Sequence, residues 1–253
     1  MPWKTRRIRG KEYKISMDDR RFDQELETLG IQLTDVQKEQ FDRYYELLIE
    51  WNRVMNLTGI TEYDEVNLKH FTDSLTIVRI KEMKNVSTLI DVGTGAGFPG
   101  IPIKIAFPHI KVTLLDSLNK RIKFLNQVVE ELDLKDVVTL HGRAEDYAKK
   151  EEYRERFDLC VSRAVANLST LSEYCLPFVK KGGCFISYKS ADSDGEIEQS
   201  KKALDILGGK IEKADKFMLP GSDMGRALVM VEKVKSTPRK YPRKAGVPSK
   251  EPL

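Results

Sequence analysis

A glycine-rich stretch that could bind a nucleotide-like ligand spans residues 91–100 and reads DVGTGAGFPG. Glycine stands at 93, 95 and 97, where it permits positive φ angles and lets a ligand approach the backbone closely. Two ligand interpretations compete. From Gly95 the stretch matches G-x-G-x-x-G, the fingerprint of a dinucleotide site, whereas from Asp91 it matches the loop of an S-adenosylmethionine site. A purely structural glycine-rich turn is the third possibility.

Asp91 favours S-adenosylmethionine over a dinucleotide. A pyrophosphate brings negative charge to the N-terminus of the helix after such a loop, and a carboxylate beside it would repel that charge. S-adenosylmethionine carries an ammonium and a sulfonium group, which a carboxylate attracts directly or through water. Pro99 suits the first turn of a helix, so the predicted strand 88–92 is followed by a ligand loop, 93–98, and Gly100 falls in the helix. The candidate cofactor residues here are Asp91, Gly93 and Gly95.

Two later strand ends carry residues suited to the nucleoside part of such a ligand. Asp116 ends a second predicted strand, where a carboxylate can accept both ribose hydroxyls. Ala144 and Glu145 follow a third predicted strand, at the position of an expected adenine contact. An acidic residue like Asp116 serves NAD and S-adenosylmethionine alike, so it predicts a nucleoside without choosing between the two ligands.

The fourth predicted strand is 157–161, and the residues that follow it indicate the chemistry of the methyl acceptor. An Asp/Asn-Pro-Pro-aromatic motif, typical of amino-nitrogen methylation, is missing there, and Cys175 falls in a helical pattern, which disfavours a cysteine nucleophile. Arg163 offers a planar cationic fork that suits a carboxylate, a phosphate or the edge of guanine. Guanine N7 has a free lone pair, so its methylation needs alignment and no general base.

The histidines and cysteines indicate neither a metal centre nor a clear catalytic base. His70 could be a base or an RNA contact, but a hydrogen-bonded helix histidine is the simpler expectation. His109 and His141 have no ligand spacing and are expected to be structural, and Lys189 faces either the acceptor or solvent. Three cysteines without C-x-x-C spacing suit a reducing cytoplasm. We expect neither a signal peptide nor a membrane span, because the basic start lacks an apolar stretch and no apolar run reaches about 18 residues.

The elements that position these residues form two parts. The first 80 residues predict a basic segment and a helical cap, with helices near 19–29 and 63–80 and a longer one opened by a capping box, Thr34 with Gln37. Beyond residue 80, strands alternate with helices, which predicts a parallel sheet covered on both faces. The apolar stripe of the long helix is Phe41, Tyr44, Leu48, Trp51 and Met55. The further predicted strands are 111–115, 137–140, 184–188, 210–217 and 227–232, and the further helices are 99–106, 118–132, 167–179 and 195–207.

The last two predicted strands differ from the others in how they can pair. Nine residues separate strands 210–217 and 227–232, too few for a crossover helix, so this pair must be antiparallel.

Charge is concentrated at the ends: residues 1–21 carry a net charge of +5, residues 233–250 carry +7 and the rest −8. Basic ends on an acidic body predict contact with a polyanion. Residues 233–253 are therefore expected to form a basic tail that orders on binding.

The chain resembles the bacterial 16S ribosomal RNA guanine-N7 methyltransferases, the glucose-inhibited division protein B family. The stretches that carry the resemblance are WNRVMNLTGIT, KHFTDSL, LIDVGTGAGFPGIPIKI, LLDSLNKR, FDLCVSRAVANL and YPRKAGVPSK. It implies an α/β fold: a seven-stranded, Rossmann-like methyltransferase sheet with an antiparallel last strand and an N-terminal helical extension. The boundaries expected are 1–80 for the basic segment and cap, 81–232 for the methyltransferase domain and 233–253 for the tail.

The resemblance also implies a function and a set of site residues. The cofactor would lie against Gly93, Phe98, Asp116, Ser117 and Leu118, with Ala144 and Glu145 on the adenine side and Arg163 completing the site. The RNA-binding residues would be Lys120, Arg121, Arg239, Lys240, Arg243 and Lys244. We predict a cytoplasmic, monomeric, metal-free enzyme that methylates N7 of a guanosine in 16S ribosomal RNA, with the RNA or the small subunit as partner. The alternatives are a non-catalytic S-adenosylmethionine-binding assembly factor, a small-molecule methyltransferase and a nicotinamide dehydrogenase.

Overall fold

A computed structural model of the protein describes residues 4–8, 11–15, 19–164 and 166–253. Part of the basic segment predicted at 1–21, and Val165 in the predicted acceptor loop, lie outside the described residues. The first described elements are two strands, β1 (Lys4–Ile8) and β2 (Lys11–Ile15), which pair antiparallel as a separate two-stranded sheet. The sequence did not predict this hairpin.

Seven further strands form the main sheet, and they follow the predicted alternation closely. Their bounds are β3 Thr88–Val92, β4 Lys111–Asp116, β5 Val137–His141, β6 Phe157–Ser162, β7 Val179–Ser190, β8 Gly209–Met218 and β9 Gly225–Lys233. The spatial order is β5-β4-β3-β6-β7-β9-β8. Neighbours from β5 to β7 run parallel, whereas β9 pairs antiparallel with both β7 and β8. The predicted antiparallel pair at the end of the chain is confirmed, and β9 lies between its two partners.

Helices cover both faces of this sheet and precede it. Their bounds are α1 Asp19–Thr28, α2 Asp35–Met55, α3 Tyr63–Val66, α4 Asp73–Leu75, α5 Gly100–Ala106, α6 Asn119–Glu131, α7 Ala144–Tyr147, α8 Leu168–Cys175, α9 Asp194–Leu207 and α10 Val247–Lys250. The single helix predicted near 63–80 is instead composite, because a π-helical turn (Asn67–Thr72) joins α3 to α4 and a 3-10 turn (Thr76–Arg79) follows. The helix predicted to reach residue 179 ends at Cys175, two residues before Pro177. A 3-10 turn (Leu176–Phe178) follows it.

The helical cap packs into the same hydrophobic core as the sheet. The predicted capping box opens α2: the Thr34 amide donates to Gln37 Oε1 at 2.8 Å, and the Gln37 amide donates to Thr34 Oγ1 at 3.3 Å. The first part of the predicted stripe is fully buried, whereas its C-terminal members are half-buried. Tyr44 lies 5.4 Å from the ring of Phe98 and donates its hydroxyl to the carbonyl of Ala96. The helical cap therefore packs against the glycine-rich loop and bonds to it.

The C-terminal residues are folded onto the sheet domain, which corrects the expectation of a tail that orders on binding. Arg154 donates to the carbonyls of Thr237, Pro238 and Tyr241 at 2.8–3.3 Å. Tyr241 is buried in the core that covers the second face of the sheet. Several polar bonds therefore fix this segment along the side of the domain.

Arg243, predicted to bind RNA, is one of the residues that anchor this segment. Its guanidinium makes three bonds of 2.7–3.1 Å to Glu173, and its amide donates to the same carboxylate at 2.7 Å. Glu173 is only 1% exposed. A buried carboxylate needs a paired charge, so this bond attaches the C-terminal segment to α8.

Arg243→Met is expected to lower the free energy of unfolding by about 3 kcal/mol, because it leaves the Glu173 carboxylate buried without its cation. Urea denaturation measures the loss. Lys244→Met, at an exposed neighbouring lysine, is the matched control and should change the stability little. Equal stability of the wild type and the Arg243 variant would contradict the docked segment.

Candidate active site: two adjoining cavities

The glycine-rich loop follows β3 as predicted and ends at α5, which begins at Gly100. Gly93, Gly95 and Gly97 have φ values of 72°, 62° and 99°. At Gly97 a side chain is also excluded by space, because a Cβ atom would lie 2.6 Å from the Tyr44 hydroxyl oxygen. The sequence interpretation of this stretch as a tight loop running into a helix is confirmed.

Asp91 shapes this loop from inside the protein. Its carboxylate is fully buried, and Oδ2 accepts the Thr94 hydroxyl at 2.6 Å and the Gly100 amide at 2.8 Å. The other oxygen, Oδ1, is buried without a hydrogen-bond partner among the described residues. Asp91 is absent from the described residues that line the cavities below. Its placement therefore differs from the direct ligand contact considered from the sequence.

Burial also changes the acidity of Asp91. Loss of water raises the pKa of Asp91 from its ordinary 3.8 to about 7, against the opposing effects of the Thr94 and Gly100 hydrogen bonds and of the Arg163 charge. The protonated form would give the unpartnered oxygen a hydrogen without an ionic charge in the interior. The end of β3 therefore holds a carboxyl group that titrates near neutral pH.

Asp116 occupies the strand end beside the loop and is nearly fully buried. Its Oδ2 accepts the Gly95 amide at 2.9 Å and pairs with Arg121 at 3.2 Å, and its Oδ1 accepts the Leu118 amide at 2.9 Å. A carboxylate has about four acceptor positions, so Asp116 keeps capacity for a ligand hydroxyl. Arg121, predicted as an RNA contact, is engaged here instead, whereas Lys120 is exposed.

A cavity of about 280 Å³, the cofactor cavity below, opens beside Asp116. It brings together five predicted cofactor residues, which are Gly93, Asp116, Ser117, Ala144 and Glu145. Gly95 and Leu118 do not line the cavity, but their amides donate hydrogen bonds to Asp116, which does. Phe98, at the end of the loop, is buried. The sequence missed Arg143 and Tyr174, which also line it and carry no motif.

Glu145 links this cavity to the C-terminal segment. Its side chain is 4% exposed, and Oε1 accepts the amide of Gly246 at 2.9 Å. Nearby, the Thr170 hydroxyl donates to the carbonyl of Pro248 at 3.0 Å. One wall of the cofactor cavity is therefore supported by residues of the segment that was predicted to order only on binding.

A second and larger cavity of about 770 Å³, the acceptor cavity below, adjoins the first and shares Ala164 and Ala166 with it. Its charged side chains are mostly cationic. The cations are Lys69, Arg163, Lys189 and Arg226, and the anions are Asp73 and Glu196. The sequence singled out Arg163 and Lys189 here, but not Arg226, which lies at the start of β9 and outside every motif considered.

Arg163 lies in the acceptor cavity, not in the cofactor cavity. Its Nη1 donates to Asp73 Oδ2 at 2.9 Å and to the carbonyl of Lys69 at 3.1 Å, and its Nη2 lies 3.2 Å from His70 Nδ1. Its guanidinium carbon is 5.0 Å from the centre of the Phe98 ring. Of the two roles considered from the sequence, acceptor and cofactor positioning, this placement favours the acceptor.

The remaining candidates have ordinary partners. His109 lies 3.2 Å from the carbonyl of Met83, His141 lies 3.2 Å from that of Ser117, and Lys189 donates to Glu196 and to the Ala166 carbonyl at 2.6 Å. The three cysteines are buried free thiols. Across the described ranges, no group of three or more His, Cys, Asp or Glu side chains could hold a metal ion. Within the same ranges, no helix has the length and apolar character to cross a bilayer.

Similarity to known proteins extends over most of the chain. The sequence model of one family, described as GidB: rRNA small subunit methyltransferase G, matches residues 37–222. A ribosomal RNA small subunit methyltransferase G from Lachnoclostridium phytofermentans is 55% identical over 236 residues, which cover 93% of this chain and 98% of the relative. A protein of the same name from Acetivibrio thermocellus is 58% identical over 224 residues, covering 88% of this chain and 92% of the relative.

Solved structures share the fold at much lower identity. The S-adenosylmethionine-dependent methyltransferase SibL superimposes with a TM-score of 0.52 and 14% identity, over 78% of this chain and 70% of its own. Identity this low is evidence for the fold alone. The predicted seven-stranded methyltransferase sheet with antiparallel final strands is confirmed.

Asp91→Asn is expected to change how the stability depends on pH. Below about pH 4 the carboxyl group of Asp91 is protonated in both the folded and the unfolded chain. Between about pH 4 and 7 it ionises only in the unfolded chain. The wild type therefore loses stability as the pH rises, until the folded pKa of about 7 is passed. Asparagine does not titrate. The free energy of unfolding of the variant minus that of the wild type should therefore increase from pH 4.5 to 7 and then level off.

Urea denaturation across pH 4.5 to 8.5 measures this difference. The matched control is Asp133→Asn, because the side chain of Asp133 is 73% exposed and the substitution should give a nearly flat difference. A flat difference for Asp91→Asn as well would contradict the raised pKa of Asp91.

Proposed function

Since the chain belongs to the GidB family, rRNA small subunit methyltransferase G, we propose that it transfers a methyl group from S-adenosylmethionine to N7 of a guanosine in 16S ribosomal RNA. The observation that carries this proposal is the pair of adjoining cavities. One cavity is lined by the glycine-rich loop and Asp116, the other carries more cations than anions, and the two meet at Ala164 and Ala166.

The cofactor cavity fits S-adenosylmethionine better than a dinucleotide. Asp116 is a buried carboxylate that keeps acceptor capacity for a ribose hydroxyl, and Ala144 with Leu171 offers apolar surface for an adenine ring. The loop amide of Gly95 is already occupied by Asp116, so it is not free for a pyrophosphate. Asp116 and Glu145 balance the two arginines of the lining, Arg121 and Arg143, so the cavity has no excess of positive charge to attract a pyrophosphate.

When bound, S-adenosylmethionine supplies a methyl group on a positively charged sulfur. The chain's own residues then have to hold the acceptor in line with that methyl group and keep water away. In-line alignment alone accounts for a large part of the rate enhancement in such transfers. The small side chains of Ala164 and Ala166 at the junction leave room for the two reacting atoms to meet.

The acceptor cavity suits a base that needs no deprotonation. The titratable side chains there are already engaged: Asp73 pairs with Arg163 and Arg226, and Glu196 pairs with Lys189. Guanine N7 presents a lone pair, and the neighbouring O6 is an acceptor for Arg or Lys donors. The cationic lining also favours the approach of RNA phosphates.

The RNA surface is proposed to include the exposed cations Lys120, Arg239, Lys240 and Lys244. Arg121 and Arg243 are held in ion pairs with Asp116 and Glu173, so we assign them to the architecture of the site. We further propose that the protein acts as a metal-free monomer in the cytoplasm, because one chain builds both cavities and its proposed substrate is ribosomal RNA.

The catalytic function is tested with labelled S-adenosylmethionine and small ribosomal subunits from cells that lack the enzyme. We expect label in 16S RNA and a single new site of borohydride–aniline cleavage, which reports N7-methylguanosine. Binding of S-adenosylmethionine and of RNA without transfer would instead indicate the non-catalytic assembly factor. Labelling without the cleavage would contradict N7 as the acceptor atom.

Asp116→Asn is expected to weaken S-adenosylmethionine binding at least about tenfold, because hydrogen bonds to a charged acceptor contribute about 1.5–3 kcal/mol. Isothermal titration calorimetry measures the affinity. Asp146→Asn, at an exposed carboxylate next to Glu145, is the matched control and should retain wild-type affinity. An unchanged affinity in the Asp116 variant would remove this residue from the cofactor site.

A further inference from the structure

Three acceptor groups that hold Arg163 come from one short stretch of helix, residues 69–73. They are the carbonyl oxygen of Lys69, Nδ1 of His70 and the carboxylate of Asp73, at 3.1, 3.2 and 2.9 Å. Two of the five guanidinium N–H groups, one on Nε and one on Nη2, then have no acceptor within the described part of the chain. The bonds therefore fix the plane of the guanidinium and leave two donors for a ligand.

The π-helical turn explains why these groups face Arg163. In an α-helix the Asp73 amide would donate to the carbonyl of Lys69, four residues earlier. Here it donates to the carbonyls of Leu68 and His70 instead, and the Lys69 carbonyl accepts from Arg163. π-helical turns are rare and frequently occur at functional sites. Tyr188 fastens the end of this segment to β7, because its hydroxyl donates to the carbonyl of Ser74 at 2.6 Å.

His70 can adopt only one tautomer in this arrangement. A guanidinium has donors and no acceptor, so His70 Nδ1 must accept from Arg163 and the imidazole proton lies on Nε2. That nitrogen is 2.8 Å from Thr58 Oγ1, which also accepts the amide of Ile60 at 3.0 Å. The imidazole ring stacks on Phe98 with 4.5 Å between centroids and 18° between planes.

The charges around His70 oppose its protonation. Burial, followed by the nearby charge of Arg163, lowers the pKa of His70 to about 3, against the opposing effect of a hydrogen bond with the Lys69 backbone. Asp73, the carboxylate closest in the chain, is held by Arg163 and Arg226. His70 therefore stays neutral through the physiological range, and its only basic nitrogen is occupied.

We propose that His70 is a positioning residue for Arg163: within the π-helical turn, its Nδ1 fixes the guanidinium so that the two remaining donors address the methyl acceptor. The step is one of orientation, with no proton transferred at His70. This assignment rests on the proposed function for the identity of the acceptor. The two open donors suit an oxygen such as guanine O6 or a phosphate oxygen, both of which accept from a planar fork.

Variants at His70 test whether methylation of the acceptor can be impaired while S-adenosylmethionine binding is retained. His70→Ala should lower kcat/KM for ribosomal RNA at least about tenfold, since a bond to a charged group is lost, while the dissociation constant of S-adenosylmethionine stays within about twofold. His70→Asn can place an amide oxygen near the position of Nδ1 and should recover most of the loss. His70→Gln extends toward Thr58 and should not recover it.

His109→Asn, at a histidine remote from both cavities, is the matched control and should behave as the wild type. Equal recovery by His70→Asn and His70→Gln would overturn the proposal, as would a loss of cofactor affinity as large as the loss of kcat/KM. A wild-type activity limb near pH 6.5 that disappears in His70→Asn would overturn it too, by identifying His70 as a base.

A spectroscopic measurement keeps the test independent of activity and of the folding of the variants. In the wild-type protein, long-range ¹H–¹⁵N correlation should show His70 as the Nε2–H tautomer without titration between pH 5.5 and 8. The Nδ1–H tautomer, or titration near pH 6.5, would overturn the proposal. If the wild type showed the expected tautomer but did not methylate RNA, the proposed function would be contradicted, whereas the contact between His70 and Arg163 would be supported.

Discussion

The loop of residues 93–98 has to serve two cavities at once, and its shape depends on the buried carboxylate of Asp91. That carboxylate joins the end of β3 to the start of α5 through Thr94 and Gly100. At one end of the loop, the Gly95 amide orients Asp116 in the cofactor cavity. At the other end, the Phe98 ring supports Arg163 in the acceptor cavity. A shift of this loop would therefore misplace both partners of the transfer.

The two cavities differ in charge. Asp116 and Glu145 balance Arg121 and Arg143 in the cofactor cavity, whereas the acceptor cavity carries more cations than anions. A neutral His70 adds an acceptor for Arg163 without adding charge. Because each cation in the acceptor cavity already has a protein partner, its orientation is set before a ligand arrives. Such prior orientation lowers the entropic cost of aligning reactants.

Local sequence patterns predicted the sheet, the loop and the position of Asp116 at a strand end well, because strand alternation, glycine spacing and capping chemistry act over a few residues. Contacts between distant segments left no such pattern. Arg243 looks like a solvent-exposed tail residue until α8 brings Glu173 to it, 70 positions away. The π-helical turn at 67–72 is a change in hydrogen-bond partner, which composition does not record. Burial likewise decided that Asp91 shapes the loop, since periodicity alone placed it only at the strand end.

In the proposed arrangement the cofactor and the acceptor occupy separate cavities that meet at Ala164 and Ala166. A crystal structure with S-adenosylhomocysteine distinguishes this arrangement from the alternatives. We expect the ribose at Asp116, the adenine beside Ala144 and the sulfur directed toward the shared alanines. A nucleoside bound in the larger cavity, against Arg163 and Lys189, would contradict it.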